Sequence, residues 1–124
     1  MLDKAQLGVS SPSRALREEE RELICFMLSG ARTDGSLDID LGPSRVVDMQ
    51  DGGMGSIRFV RSGRRVLGRV VAEAEYEDID GVLVSVSINS DSEGQLFEVD
   101  FWKVDFSSLK RYPKYSELVI KRTT

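Results

Sequence analysis

Between residues 65 and 101 the chain repeats one pattern: apolar residues at every second position, broken by short polar turns. Val66, Gly68, Val70, Ala72, Ala74 and Tyr76 occupy every second position, with Arg69, Glu73 and Glu75 among the residues between them. Asp80-Gly81 follows, a dipeptide suited to a two-residue hairpin. Val82, Val84, Val86 and Ile88 then alternate with Leu83, Ser85, Ser87 and Asn89, and after a polar loop at 90–94 so do Phe97, Val99 and Phe101. A period of two places alternate side chains on opposite faces of a strand. Such strands, joined by tight turns, build an antiparallel sheet with one buried face and one polar face.

The rest of the chain fits around that sheet. Ser11-Pro12, a run of acids at Glu18, Glu19, Glu20 and Glu22, and an apolar stripe through Leu16, Leu23 and Met27, widened by Ile24, Phe26 and Leu28, predict a helix over 12–29. Gly30 is expected to stop it in the left-handed conformation. Leu37, Ile39 and Leu41 alternate with Asp38 and Asp40 as a strand, Val46 to Met49 form a second, and Ile57 and Phe59 point inward from a third. The segment 118–120 fits a short strand or a helical turn. The expected fold is α+β: an N-terminal helix packed on an antiparallel meander sheet of about six strands. One domain spans 1–124, with 1–10 as a tail.

Composition narrows the function. The chain has no histidine, which removes the commonest general base and metal ligand and lowers the expectation of an enzyme. Cys25 is the single cysteine, so no internal disulfide can form, and a reducing cytoplasm is expected. No apolar run approaches the ~20 residues a membrane helix needs. The formal net charge is −4, with the charges segregated. Arg58 to Arg69 holds five arginines and no acid; Glu73 to Asp105 holds ten acids and only Lys103. An acidic chain of this kind is not expected to bind nucleic acid or a membrane. Neighbouring basic and acidic strands would neutralise each other.

Three stretches merit a chemical reading. The loop Asp51-Gly52-Gly53-Met54-Gly55-Ser56 could bring backbone close to a small ligand or nucleotide. It leads into a strand rather than a helix and carries no lysine, so a tight turn is the simpler account. Asn89 to Asp100 partly mimics a calcium loop, but it ends in Asp100 and its flanks alternate like strands, so neither a metal nor another cofactor is expected. Glu98, Asp100 and Trp102 share the face opposite Phe97, Val99 and Phe101. Arg58 and Arg69 are placed beside them as cross-strand ion pairs. A catalytic carboxylate pair would need burial to separate its acid constants. A protein-binding patch centred on Trp102 needs only exposure. Exposed sheet edges would also allow a homodimer.

Two segments carry a resemblance: Val47-Asp48-Met49-Gln50-Asp51-Gly52-Gly53-Met54-Gly55-Ser56-Ile57-Arg58-Phe59 and Leu96-Phe97-Glu98-Val99-Asp100-Phe101-Trp102-Lys103-Val104-Asp105-Phe106. Together they resemble a family of small, uncharacterised bacterial proteins, a domain of unknown function, over residues 14–110. The resemblance implies no activity. Small α+β proteins of this general look include immunity proteins that neutralise toxins, an analogy of fold alone.

Overall fold

The computed structural model of the chain describes residues 12–31 and 41–121. One helix, α1 (Glu18–Ala31), accompanies seven strands: β1 (Arg14–Ala15), β2 (Arg45–Asp48), β3 (Ile57–Phe59), β4 (Leu67–Glu77), β5 (Leu83–Asp91), β6 (Leu96–Lys103) and β7 (Val119–Lys121). All belong to one antiparallel sheet in the order β1-β2-β3-β6-β5-β4-β7. The α+β architecture with its N-terminal helix is therefore as the sequence implies. The meander is split, however. β1-β2-β3 and β4-β5-β6 each run in sequence, and β3 joins β6 through Ile57 opposite Val99 and Arg58 opposite Glu98.

Leu23, Ile24 and Met27 of α1 pack with Ala72, Ala74, Val84, Val86, Ile88, Val99 and Phe101 in a single core, where Cys25 lies at the margin. The helix rests on β4 and β7. Its start differs from the expected Pro12. Arg14 and Ala15 pair with Val46 and Arg45 instead, so the chain is extended there. Glu20 then defines the first turn: its carboxylate accepts the Arg17 backbone N–H at 2.8 Å, satisfying a donor that no helical carbonyl can reach. Arg14 holds the same buried carboxylate from the other side, at 2.9 and 2.8 Å, and bridges to Asp48. Ser11 and the expected strand residues Leu37 and Ile39 lie outside the described residues; Leu41 is buried in the core.

Gly30 does not end the helix, which runs one residue further. A side chain there would meet Ile120 of β7 at 3.0 Å, so the glycine permits close packing of helix on strand. β7 itself settles the open reading of residues 118–120 as a strand edge.

Three inward assignments are corrected. Val66 and Val70 are exposed rather than buried. The pairing of β4 with β5 slips at both Leu67/Val70 and Val70/Ala72, which interrupts the alternation. At Gly68 a Cβ would stand 2.3 Å from the Asp91 carbonyl oxygen, so only glycine fits this crossing of backbones. Phe97 is buried but stands outside the core cluster. A register slip between Asn89 and Ser90 displaces it, and the guanidinium groups of Arg58 and Arg65 lie 5.0 and 4.8 Å from its ring centre.

Candidate functional site: the open face of the sheet

The two faces of the sheet are treated differently. Helix α1 and the segment after β6 cover the inner face, where Tyr112 packs on Phe101. No described element covers the outer face. Register fixes what stands on it. Arg58 on β3 lies opposite Glu98, Asn89 opposite Glu98, Ser87 opposite Asp100, and Ser85 opposite Trp102. On β4, Glu73 lies opposite Ser87 and Glu75 opposite Ser85.

Glu98, Asp100, Trp102 and Arg58 are therefore neighbours on one face, as the alternation of β6 implies. Their environments differ. Glu98 is only 8% exposed and accepts hydrogen bonds from Arg58, including Nε at 2.9 Å. Asp100 is half-buried and accepts Nδ2 of Asn89 at 2.7 Å. Burial pushes its pKa up to about 6, helped by the charge of Glu98 and a hydrogen bond shared with it. Trp102 is 53% exposed.

Arg69 does not join this group. It is exposed on β4 and has no ion pair among the described residues. The expected neutralisation of the basic stretch is partial. Arg58 pairs with Glu98 and Arg65 with Asp91, while Arg61, Arg64 and Arg69 form no ion pair among the described residues.

An aromatic partner adds to the face. Phe106 meets Trp102 edge to face, with ring centres 4.9 Å apart, and is 66% exposed. Its φ of 66° is the left-handed conformation, which a phenylalanine rarely adopts. The turn holds it there: Phe106 N–H donates to the Lys103 carbonyl at 2.9 Å, and Asp105 accepts both the N–H and the hydroxyl of Ser107. Leu83 and Val104 extend the apolar end of this face. No local sequence signal marks Phe106, because its backbone conformation depends on the turn closing over β6.

Lys103 was also missed as a structural residue. It is 0% exposed, on the inner side of β6. Its ammonium donates to Asp78 at 2.9 Å, Asp80 at 2.7 Å and the Ser108 carbonyl at 3.1 Å. Burial pulls its pKa down, but the two carboxylates outweigh burial and raise it. Burial likewise raises Asp78, yet the Lys110 N–H, Lys103 and the Ile79 N–H together hold it below the ordinary range. The signal was available: a lysine in phase with Val99 and Phe101 must be buried and paired.

The glycine loop is turned inward onto its own chain. Asp51 accepts the N–H groups of Met54 and Ser56, each at 3.0 Å. Gly52, Gly53 and Gly55 have φ of 76°, 82° and 95°. Side chains at Gly53 and Gly55 would meet Ser108 and Leu109 at 3.0 and 3.2 Å. Ser56 is buried, its hydroxyl accepting the Phe101 N–H at 2.9 Å. In the imperfect calcium loop, Asp91 is committed to the N–H groups of Glu93 and Gln95 and to Arg65.

The sequence model of a domain family described as a domain of unknown function, DUF6984, matches residues 13–113. The chain belongs to this family. The match takes in β1 through the turn that holds Phe106, so both clusters carried by β6 lie inside the family domain. Neither the comparison with curated proteins nor that with solved structures returns a match. Among the described residues no helix is long and apolar enough to cross a membrane.

Proposed function

We propose that this chain is a non-enzymatic, protein-binding module of the bacterial cytoplasm, immunity-like in its mode of action, and that its open acidic face is the binding surface. The observation that carries the reading is the exposed Trp102–Phe106 pair on a face that no described element covers. Solvent-facing aromatics of this size are typical anchors of protein interfaces. The charge around them supports it. Among the described residues, the register places Glu73, Glu75, Glu77, Glu98 and Asp100 on this face with Arg58 and Lys121, an acidic surplus that would steer a basic partner. The non-enzymatic part rests on the absence of histidine and on the commitment of Glu98 to Arg58 in an ion pair.

Capture of partners from the native cell by the tagged chain, at low and moderate salt, tests the proposal. Because Glu98 is buried against Arg58, reversing it would threaten the fold. Asp100→Lys with Trp102→Ala is the better variant. A stoichiometric protein retained by the native chain and lost by the variant is the expected result. Retention by both places the interface elsewhere. Stabilisation by a nucleotide or other small molecule in a thermal-shift screen, with no protein captured, would move the function to the loop Asp51–Ser56.

A further inference from the structure

The outer face has a shape as well as a charge. β5 is the centre of its half of the sheet, paired on both sides, so its backbone donors and acceptors are already used. A partner there must be recognised by side chains and not by adding a strand. The pairings define two rows across three strands: Glu75, Ser85 and Trp102 in one, Glu73, Ser87 and Asp100 in the next. In each, a small serine separates larger side chains. Neighbouring strands lie ~4.8 Å apart, so the flanking walls stand about 10 Å apart over a low floor, the width of one extended chain.

The walls also select the occupant. Glu73 has no cation partner among the described residues, and Glu75 has only Lys121 at 3.8 Å. A lysine or arginine crossing the floor would find a carboxylate on either side, and its aliphatic stem could lie on the Trp102 ring. An acidic segment, or the phosphates of a nucleic acid, would be repelled. At the Trp102 end, Phe106 is held in a strained conformation, so the apolar wall is set before any partner arrives.

Building on the binding role proposed above, we infer that the partner enters as an extended segment carrying lysine or arginine side chains, laid along β5 over Ser85 and Ser87, between Glu73 and Glu75 on one side and Asp100 and Trp102 on the other.

Trp102 is the only tryptophan, so its emission reports directly on this face. The full chain is titrated with a short peptide of alternating arginine and threonine, and with one of the same length carrying glutamate for arginine. The expected result is a saturable change in Trp102 emission with the arginine peptide alone, its affinity falling at least about tenfold in Glu73→Gln/Glu75→Gln. No saturable change, or an unaltered affinity in that variant, overturns the inference. The native partner separates this from the broader reading. Capture that depends on Asp100 and Trp102 but ignores Glu73→Gln/Glu75→Gln leaves the binding role intact and sinks the β5 geometry. Capture indifferent to Asp100 and Trp102 moves the interface off this face and defeats both the proposed binding surface and the β5 geometry.

Discussion

Lys103 and Asp100 sit three residues apart on β6, and each belongs to a charged cluster, yet the two clusters have opposite character. On the inner side, Lys103 is sealed from solvent and all three of its hydrogen-bond capacities are used. One cation meets two carboxylates, and backbone N–H groups from Ile79 and Lys110 satisfy Asp78 further. On the outer side, Glu98 pairs with Arg58, and Asp100 hydrogen-bonds an amide and a neighbouring carboxyl. The saturated cluster ties the β4–β5 hairpin to the chain after β6. The unsaturated one sets two carboxyl groups against one guanidinium. A buried group that is fully paired belongs to the architecture; a half-exposed group left in deficit, beside an exposed tryptophan, is where a partner can supply what is missing.

The comparison is broken most directly by Lys103→Met. Removing the cation strands Asp78 in the interior without its charge partner, which is among the costliest changes a fold can suffer. The unfolding midpoint should fall by about 10 °C or more. A fall of only a degree or two would mean that the inner cluster is not a lock. Gly53→Ala should cost about 2 kcal/mol, through its φ of 82° and the 3.0 Å approach to Ser108, the residue whose carbonyl receives Lys103. Denaturant titration measures it, and an unchanged midpoint would detach the glycine loop from the seal.

The outer cluster predicts the opposite sign. The pKa of Asp100 is raised to about 6 by burial and by Glu98, so the folded state holds this proton more tightly than the unfolded chain. Stability from that proton is present below about pH 4 and is lost as pH rises through about 6. Asp100→Asn imitates the protonated form. It should match the native chain near pH 4 and exceed it at pH 7 and above by about 1 kcal/mol, after discounting for solvent screening. Destabilisation at neutral pH would show that the carboxylate is structural. The smallest effect on folding is expected from Trp102→Ala, within about 0.5 kcal/mol by denaturation, because the indole is largely exposed. The same variant should abolish partner capture. A large loss of stability would instead make Trp102 a structural cover.

The alternation along β5 and β6 was enough to place Glu98, Asp100 and Trp102 on one face, since a side-chain period of two allows no other arrangement in a regular strand. It failed at Val66, Val70 and Phe97, where register slips insert extra residues and a binary pattern cannot register them. It also overlooked Lys103, whose place in the apolar phase of β6 was readable, but whose partners Asp78 and Asp80 lie in a turn that becomes adjacent only on folding.

The sequence by itself determined the α+β class, the two-faced strands, the hairpin at Asp80-Gly81 and the polar character of the outer face. These follow from periodicity and turn chemistry, which act over a few residues. Only the tertiary structure decided where the helix begins, which strand β3 joins, why Gly30 and Gly53 are glycines, and how Phe106 comes to stand against Trp102. Each of those depends on a contact between segments distant in the chain: Arg14 with Glu20 and Asp48, Gly30 with Ile120, Gly53 with Ser108, and the turn after β6 with the strand it follows. Local propensity is silent on such contacts, because their free energy appears only when the whole sheet is assembled.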